Sequence, residues 1–387
     1  MSDASRSEPG RAPPPLVPDF GGRCLTEVVP ALLAQVQPPA HERIVPAWLP
    51  ECVQGARQIV LLVLDGLGSA QLEHRARLAP VLSSGSGVTL TSVAPSTTAA
   101  ALTSLATGRA PAVHGVVGYR VAVGGDILNV LGWRIGDRDA RRVVPPRAFQ
   151  PFPVFPGGGG STPVVSRHDY GATGFTAAHL GDAALHGWYT PAGLVVEVGR
   201  VLAGGAPFVY AYYDGIDRTA HALGLGEHYD AELRAVDRLV GDVLAVLPPD
   251  AVLVVTADHG QVEVGASVEV LGGDVMDCVE LISGEGRFRW LHARRGAARA
   301  LWDIASSRYG HLAWVRSIEQ VLDDGWLGGV PVPEVRARLG DVVLVPFAPT
   351  AFLDPADTGE QRLVCRHGSL TDDEMLVPLL AWRAPAT

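Results

Sequence analysis

Three apolar runs along the chain end abruptly at acidic residues or histidine. Ile59–Leu64 (IVLLVL) runs into Asp65-Gly66, Phe208–Tyr213 (FVYAYY) into Asp214 and Asp217, and Ala251–Thr256 (AVLVVT) into Asp258-His259-Gly260. Each run is nearly continuous rather than alternating, as expected of parallel strands covered on both faces. Helical patterns separate them. Thr97–Thr107 (TTAAALTSLAT) follows Pro95-Ser96, a helix entry. His228–Leu247 carries Leu233, Val236, Leu239, Val240, Val243 and Leu244 at amphipathic spacing. Strands alternating with helices predict an α/β sandwich with a mainly parallel central sheet. Such sheets bind ligands beyond the carboxyl ends of their strands, where Asp65, Asp217, Asp258 and His259 all fall.

Two regions depart from this rhythm. Tyr119 to about Gly193 contains QPFPVFPGGGGSTP and reads as loop. Leu281 to Arg338 contains RFRWLHARRGAARALW and short helical pieces, and reads as a smaller, cap-like insertion packed over the sheet. The expected organisation is a disordered, Pro-rich lead-in over residues 1–22, an α/β catalytic domain over 23–280 and 339–387, and an insertion over 281–338. No solenoid-type repeat is present.

Composition narrows the function. The 387 residues are 47% hydrophobic and 19% charged, a globular balance. The net charge of -10 argues against a nucleic-acid polymer as partner, because such binding needs basic surface to displace counterions. A small phosphorylated substrate stays compatible, since bound metal ions supply local positive charge. Cys24, Cys52, Cys278 and Cys365 form no C-x-x-C pair, so a zinc ribbon is excluded and free thiols in a reducing compartment are expected. The N-terminal stretch has no apolar segment of signal-peptide type, and Ile59–Leu64, the longest apolar run, is too short to span a bilayer. The expectation is a cytoplasmic protein with no membrane partner.

Four constellations carry chemistry. Asp65 ends a strand and offers a metal-binding carboxylate, although Asp-Gly is also a common turn. Pro95-Ser96-Thr97-Thr98 precedes an Ala-rich helix. A hydroxyl there is an N-cap or, beside a metal, a nucleophile at the anion-binding end of the helix. Asp217-Arg-Thr-Ala-His221 puts a carboxylate and an imidazole on one helix face, a pair suited to zinc or manganese, or else a helix start with an incidental histidine. Asp258-His259-Gly260 follows a strand, and His367-Gly368 stands far downstream. His114 reads as a turn residue beside Gly115. His168, His179, His186, His292 and His311 show no spacing that sets them apart.

Taken in order, these motifs resemble the alkaline phosphatase superfamily, and within it the type I phosphodiesterase/nucleotide pyrophosphatase family. The resemblance rests on VLDG, on PSTT…TG-x-x-P-x-x-HG (Pro95 to Gly115), on D-x-x-x-H at Asp217, on DHG at Asp258 and on HG at His367, and it runs from about Ile59 to Leu380. It implies an alkaline-phosphatase-like α/β sandwich with two divalent metal ions, zinc foremost and manganese as the alternative. Asp217, His221 and His367 would hold one; Asp65, Asp258, His259 and the Thr98 hydroxyl would hold the other. Thr98 fits the family's interval from Pro95 to Thr107-Gly108, with Thr97 next and then Ser96. The implied reaction is a double displacement at phosphorus on a nucleotide-like small phosphate ester, with a phospho-threonine intermediate that water then hydrolyses.

The chain departs from the family around the substrate. The Phe-Pro-Asn-like segment after the nucleophile is replaced by Ala99, Ala100 and Ala101, and the Asn after the first HG by Tyr119. A phenol donates a similar hydrogen bond with more bulk. Tyr212 keeps an aromatic where the family stacks a nucleobase, so Tyr119 and Tyr212 are the expected substrate contacts. Arg120 and the arginines of the insertion (Arg287, Arg289, Arg294, Arg295) offer further contacts, but most are expected at the solvated surface. The C/S-x-P-x-R context of sulfatases is absent near residue 98. Thr98 argues against a phosphoglycerate mutase with a serine nucleophile. A phosphomonoesterase or phosphonate hydrolase with the same metal site is the alternative, and a noncatalytic metal-binding protein ranks below both.

Overall fold

A computed structural model describes residues 12–36, 45–156 and 162–385. The three apolar runs are neighbours in its main sheet. Five strands run parallel in the spatial order Val252–Thr256, Ile59–Leu64, Phe208–Tyr213, Pro163–Arg167 and Ala184–Trp188. Leu376–Arg383 pairs antiparallel to Val252–Thr256, and Ser86–Thr91 closes that edge. Ile59–Leu64 and Phe208–Tyr213 are buried at every position, which accounts for their unbroken apolar sequence. Val63 stands opposite Thr256, and Leu64 opposite Tyr213, so the residues following all three strands emerge side by side.

The Ala-rich segment forms the helix Thr98–Thr107, and all ten of its residues are buried. A helix enclosed on every side needs small side chains, which explains Ala99, Ala100 and Ala101 without any role in substrate contact. Helix Leu25–Val36 packs against it. The amphipathic pattern expected over His228–Leu247 forms the helix Glu227–Ala245.

The stretch from Tyr119 to about Gly193 is more ordered than the expected loop. It contains a small antiparallel sheet (Arg120–Val123, Asp126–Asn129, Arg134–Ile135, Arg138–Asp139) and the two outer strands of the main sheet. Those outer strands, PVVSR and ALHGW, are short and incompletely buried, so they lack a continuous apolar signature. Of the Gly-rich run, residues 157–161 lie outside the described residues.

The expected insertion over 281–338 belongs to a unit with wider bounds. Its four-stranded antiparallel sheet takes Val279–Glu285, Phe288–Ala293, Val342–Pro346 and Ala313–Ser317 in that order. Helix Ala298–Tyr309 covers it, and Leu271, Leu291, Leu301, Leu344 and Phe352 form an apolar cluster of its own. Phe288, Trp290 and Trp326 join the main core instead. Arg287 and Arg289 are not at the surface as expected. They are fully buried, because Glu374 and Glu360 pair with them at 2.7 Å and 2.6 Å. Arg294 and Arg295 are exposed.

Of the expected disordered lead-in over 1–22, residues 1–11 lie outside the described residues. Residues 12–22 are tied down: Leu16 N–H donates to Leu370 O (2.9 Å), Asp19 N–H to Thr91 Oγ1 (2.9 Å), and Trp314 Nε1 to Pro13 O (2.7 Å). All four cysteines are free thiols. No helix among the described residues is long and apolar enough to cross a membrane.

Candidate metal centre and active site

Strand ends build the centre. Asp65 caps Ile59–Leu64, and its neighbour Gly66 adopts φ +75°, a left-handed turn in which a Cβ would lie 3.0 Å from Asp217 Cβ. That turn lets Gly66 N–H donate to Asp258 Oδ1 at 3.1 Å, tying two strand ends together. Asp217 and His221 lie on helix Gly215–Leu223, one turn apart, with His221 Nε2 3.2 Å from Asp217 Oδ1. His367 arrives after the short strand Cys365–Arg366. Gly368 follows it at φ +127° and presses against Glu285, with no room for a side chain.

The seven expected ligands converge in two overlapping groups. His259 Nε2 is 3.4 Å from Asp65 Oδ1, 3.3 Å from Asp258 Oδ2 and 3.1 Å from Thr98 Oγ1. His367 Nε2 is 3.3 Å from His221 Nε2 and 3.8 Å from Asp217 Oδ1. The rings of His259 and His367 stack with centroids 3.5 Å apart, which joins the groups. Asp65, Asp258 and His259 form one compact triad of potential ligand atoms; Asp217, His367 and His259 form another, so His259 faces both.

Each imidazole is held by its other nitrogen. Nδ1 of His221 lies 2.7 Å from Cys365 O, Nδ1 of His259 lies 3.0 Å from Gly260 O, and Nδ1 of His367 lies 2.9 Å from Ser96 O. A carbonyl accepts only, so each Nδ1 carries the proton and each Nε2 turns a lone pair into the site. This is the orienting arrangement of histidines that ligate metals.

The protein leaves part of the carboxylate cluster unsatisfied. Asp65 Oδ1 and Asp258 Oδ2 are buried without a hydrogen-bond partner among the described residues. Burial, followed by the charges of Asp258 and Asp217, raises the Asp65 carboxyl well above its ordinary range. Burial likewise raises Asp258, although the neighbouring His259 works against it. Burial, then His259 and His221, keeps His367 well below the usual imidazole range, in the neutral form a metal requires. Three imidazole nitrogens, three carboxylates and a hydroxyl in one largely buried recess suit divalent ions of the zinc or manganese type.

Thr98 is the first residue of helix Thr98–Thr107, and Thr97 occupies the N-cap without a side-chain cap bond. The first intrahelical bond runs from Ala101 N–H to Thr97 O. The amides of Thr98–Ala100 therefore lie ahead of it, at the positive end of the helix. Thr98 Oγ1 thus stands between that end and His259. Ser96 is committed elsewhere, its hydroxyl donating to Ser369 O at 2.7 Å.

A cavity of about 220 Å³ opens beside Asp65, Thr98 and Asp217. Tyr212 lines it, but its hydroxyl donates to Asp65 Oδ2, so the residue positions a carboxylate. Tyr119 is not among the residues lining this cavity. Its backbone N–H donates to Glu285 Oε2 at 3.0 Å, and its hydroxyl accepts from Asn129 Nδ2 at 2.7 Å, which directs the ring toward the small antiparallel sheet. Arg120 is likewise engaged elsewhere, 3.0 Å from Asp354. His114 ends the short helix Pro111–His114 beside the left-handed Gly115 and is bonded to Ser104 Oγ at 2.8 Å. His179, which its spacing did not distinguish, lines the cavity with Tyr170 and Phe175. These three come from the segment that reads as loop, and no motif marks them. Gln261 is a further participant, donating to Asp217 Oδ1 at 2.6 Å. Its place directly after DHG is the one sequence signal for it.

Solved structures place the fold. Human ectonucleotide pyrophosphatase/phosphodiesterase 5 superposes with a TM-score of 0.65 at 14% identity, over 85% of this chain and 90% of that one. An inactive murine counterpart in complex with AMP gives 0.63 at 14% identity, over 83% and 87%. Phosphonoacetate hydrolase from Sinorhizobium meliloti 1021, in complex with phosphonoformate, gives 0.60 at 18% identity, over 85% and 90%. A comparison with curated proteins finds no match. The sequence profile of one family matches residues 59–181 and 181–312, most of the chain and nearly all of the centre described above. The chain belongs to the type I phosphodiesterase/nucleotide pyrophosphatase family.

Proposed function

We propose that this phosphoric-ester hydrolase is metal-dependent and cleaves a phosphodiester or pyrophosphate bond of a small molecule through Thr98. The observation that carries this reading is the orientation of the three imidazoles. Each Nδ1 is tied to a backbone carbonyl, so Nε2 of His259 faces Asp65 and Asp258, and Nε2 of His221 and His367 faces Asp217, in a largely buried recess. Asp217, His221 and His367 would hold one divalent ion, and Asp65, Asp258, His259 and Thr98 the other, zinc being preferred and manganese the alternative. Ions held there would supply positive charge to the phosphoryl oxygens and lower the pKa of the threonine hydroxyl.

The chain's own groups supply the remainder. The first turn of helix Thr98–Thr107 directs amides toward a bound anion. Thr98 Oγ1 loses its proton and attacks phosphorus, forming the Thr98–O–P bond as the P–O bond to the leaving group breaks. Water then attacks the phosphorus of this threonyl ester, which still carries the retained group, releasing it as a phosphate monoester and restoring the hydroxyl. Tyr212 and Gln261 hold Asp65 and Asp217 in place by hydrogen bonds. The similar murine structure is of a form made inactive by a single threonine-to-alanine substitution, which agrees with a threonine nucleophile.

The test is metal content together with hydrolysis of bis-p-nitrophenyl phosphate and p-nitrophenyl phosphate, before and after chelation. About two metal ions per chain, as in two-metal phosphoryl-transfer sites, with chelator-sensitive preference for the diester is the expected result. Preference for the monoester would move the reading to a phosphatase on the same site. Protein that binds neither zinc nor manganese and hydrolyses nothing would overturn it.

A further inference from the structure

Beside the metal centre, the cavity has walls that select among esters. Leu102, Leu131, Phe175 and Leu180 supply apolar surface, and the Phe175 ring stacks on His179 with centroids 3.9 Å apart. Several of its polar groups are already paired with one another. Asp214 accepts from the Tyr170 hydroxyl at 2.5 Å and faces Arg167 and Arg218 at 3.7 Å and 3.6 Å. Among the described residues lining the cavity, Arg218 is the one Arg or Lys, and this carboxylate offsets its charge. His179 lies 2.7 Å from Phe175 O through Nδ1, and burial lowers its pKa to about 4, so it is neutral at neutral pH. Tyr210, buried in the same wall, has a hydroxyl without a partner among the described residues.

Size sharpens the selection. An apolar cavity of about 150 Å³ holds one benzene molecule. A cavity of about 220 Å³ therefore takes a phosphoryl group with one ring, or a short chain of similar bulk. A nucleoside, with base and ribose, would reach beyond it through its open side. A second phosphate or a carboxylate would meet there a single exposed guanidinium, that of Arg218, with the Asp214 carboxylate 3.6 Å from it.

Resting on the hydrolase reading above, we infer that the substrate is a diester or phosphonate monoester whose retained group is uncharged, largely apolar and about the size of one ring. The test compares three chromogenic diesters that share p-nitrophenol as leaving group and carry phenyl, choline or thymidine 5′-linked as the retained group. They are assayed on zinc-loaded protein. The expected kcat/KM for the phenyl diester exceeds both others by at least about tenfold, the discrimination that a ring-sized apolar contact supports. Equal or faster cleavage of the thymidine or choline diester overturns the inference and leaves the hydrolase reading intact. Cleavage of none of the three overturns the hydrolase reading, and the inference with it.

A variant localises the selection. Leu131 is 37% exposed, so Leu131→Asp places a carboxylate at the rim without disturbing the core. It is expected to lower kcat/KM for the phenyl diester about tenfold and to raise that for the choline diester, by Coulomb attraction. An unchanged order of substrates in folded Leu131→Asp protein would place the retained group outside this cavity and overturn the inference.

Discussion

Around Arg287 the protein buries charge that is paired, and around Asp65 it buries charge that is not. Arg287 is fully enclosed, yet its guanidinium donates to both oxygens of Glu374 at 2.7 Å and to the carbonyls of Ala348, Thr350 and Pro346. Glu374 also accepts from Ser369 N–H. Asp217 stands close enough to raise the proton affinity of both Asp65 and Asp258, and two of the buried oxygens of Asp65 and Asp258 find no donor among the described residues. A paired buried ion holds structure together, because removing either partner strands the other. An unpaired buried cluster costs stability and persists where a ligand repays it. The two regions lie on either side of the His367-Gly368-Ser369 loop, so a rigid ion pair supports the segment that delivers His367 to the candidate centre.

The contrast can be broken at either region. The largest expected effect is Thr98→Ala, which should lower kcat on the diester at least about ten-thousandfold, about 5 kcal/mol of barrier. Its urea midpoint should stay within experimental error of the parent, and retained turnover would move the nucleophile to Thr97. Next comes Glu374→Gln, expected to cost about 3–5 kcal/mol in denaturant unfolding by stranding Arg287. A loss below about 1 kcal/mol would show that the pair is structurally dispensable.

Glu285, between the two regions, probes the pH axis. Its Oε1 has no partner among the described residues, and burial raises its carboxyl from 4.5 to about 8. Between those values the unfolded chain has released the proton that the folded chain retains, so stability falls as pH rises, by at most about 1.4 kcal/mol per unit. Above about 8 the loss is complete. Glu285→Gln should flatten that slope in urea unfolding from pH 5 to 9; an unaltered slope would exclude Glu285 as its source. The smallest effect is Asp65→Asn in chelator, which should stabilise the metal-free protein by on the order of 1 kcal/mol. The same variant should lose the rise in Tm that zinc gives the parent. A destabilised metal-free variant would show that the Tyr212 bond to Asp65 outweighs the repulsion it accompanies.

Much of the metal centre was legible because its residues follow strands whose apolar runs are unmistakable. Asp65, Asp217, Asp258 and His259 sit at those ends, and parallel packing of three adjacent strands makes them neighbours. Thr98 followed from its interval to Pro95 and Thr107-Gly108. The outer strands Pro163–Arg167 and Ala184–Trp188 were not legible, since short strands that are only partly buried need no continuous apolar run. With them went the cavity wall formed by Tyr170, Phe175 and His179.

Arginine shows the boundary most plainly. Arg287, Arg289, Arg294 and Arg295 read alike along the chain, yet two are buried and two exposed. The difference lies in Glu374 and Glu360, far away in sequence, because a buried guanidinium is tolerable only where the fold brings it a carboxylate. Tyr119 and Tyr212 divide in the same way. Both are aromatic and near motifs, but only Tyr212 rises from a strand beside Asp65 and reaches its carboxylate. Hydrophobic period and the residues that end each run are local properties, so the sequence alone determined the α/β sheet and the candidate ligands at its strand ends. Partnership between distant side chains, and the size and charge of the space they leave, depend on how the elements pack, and only the tertiary structure decided them.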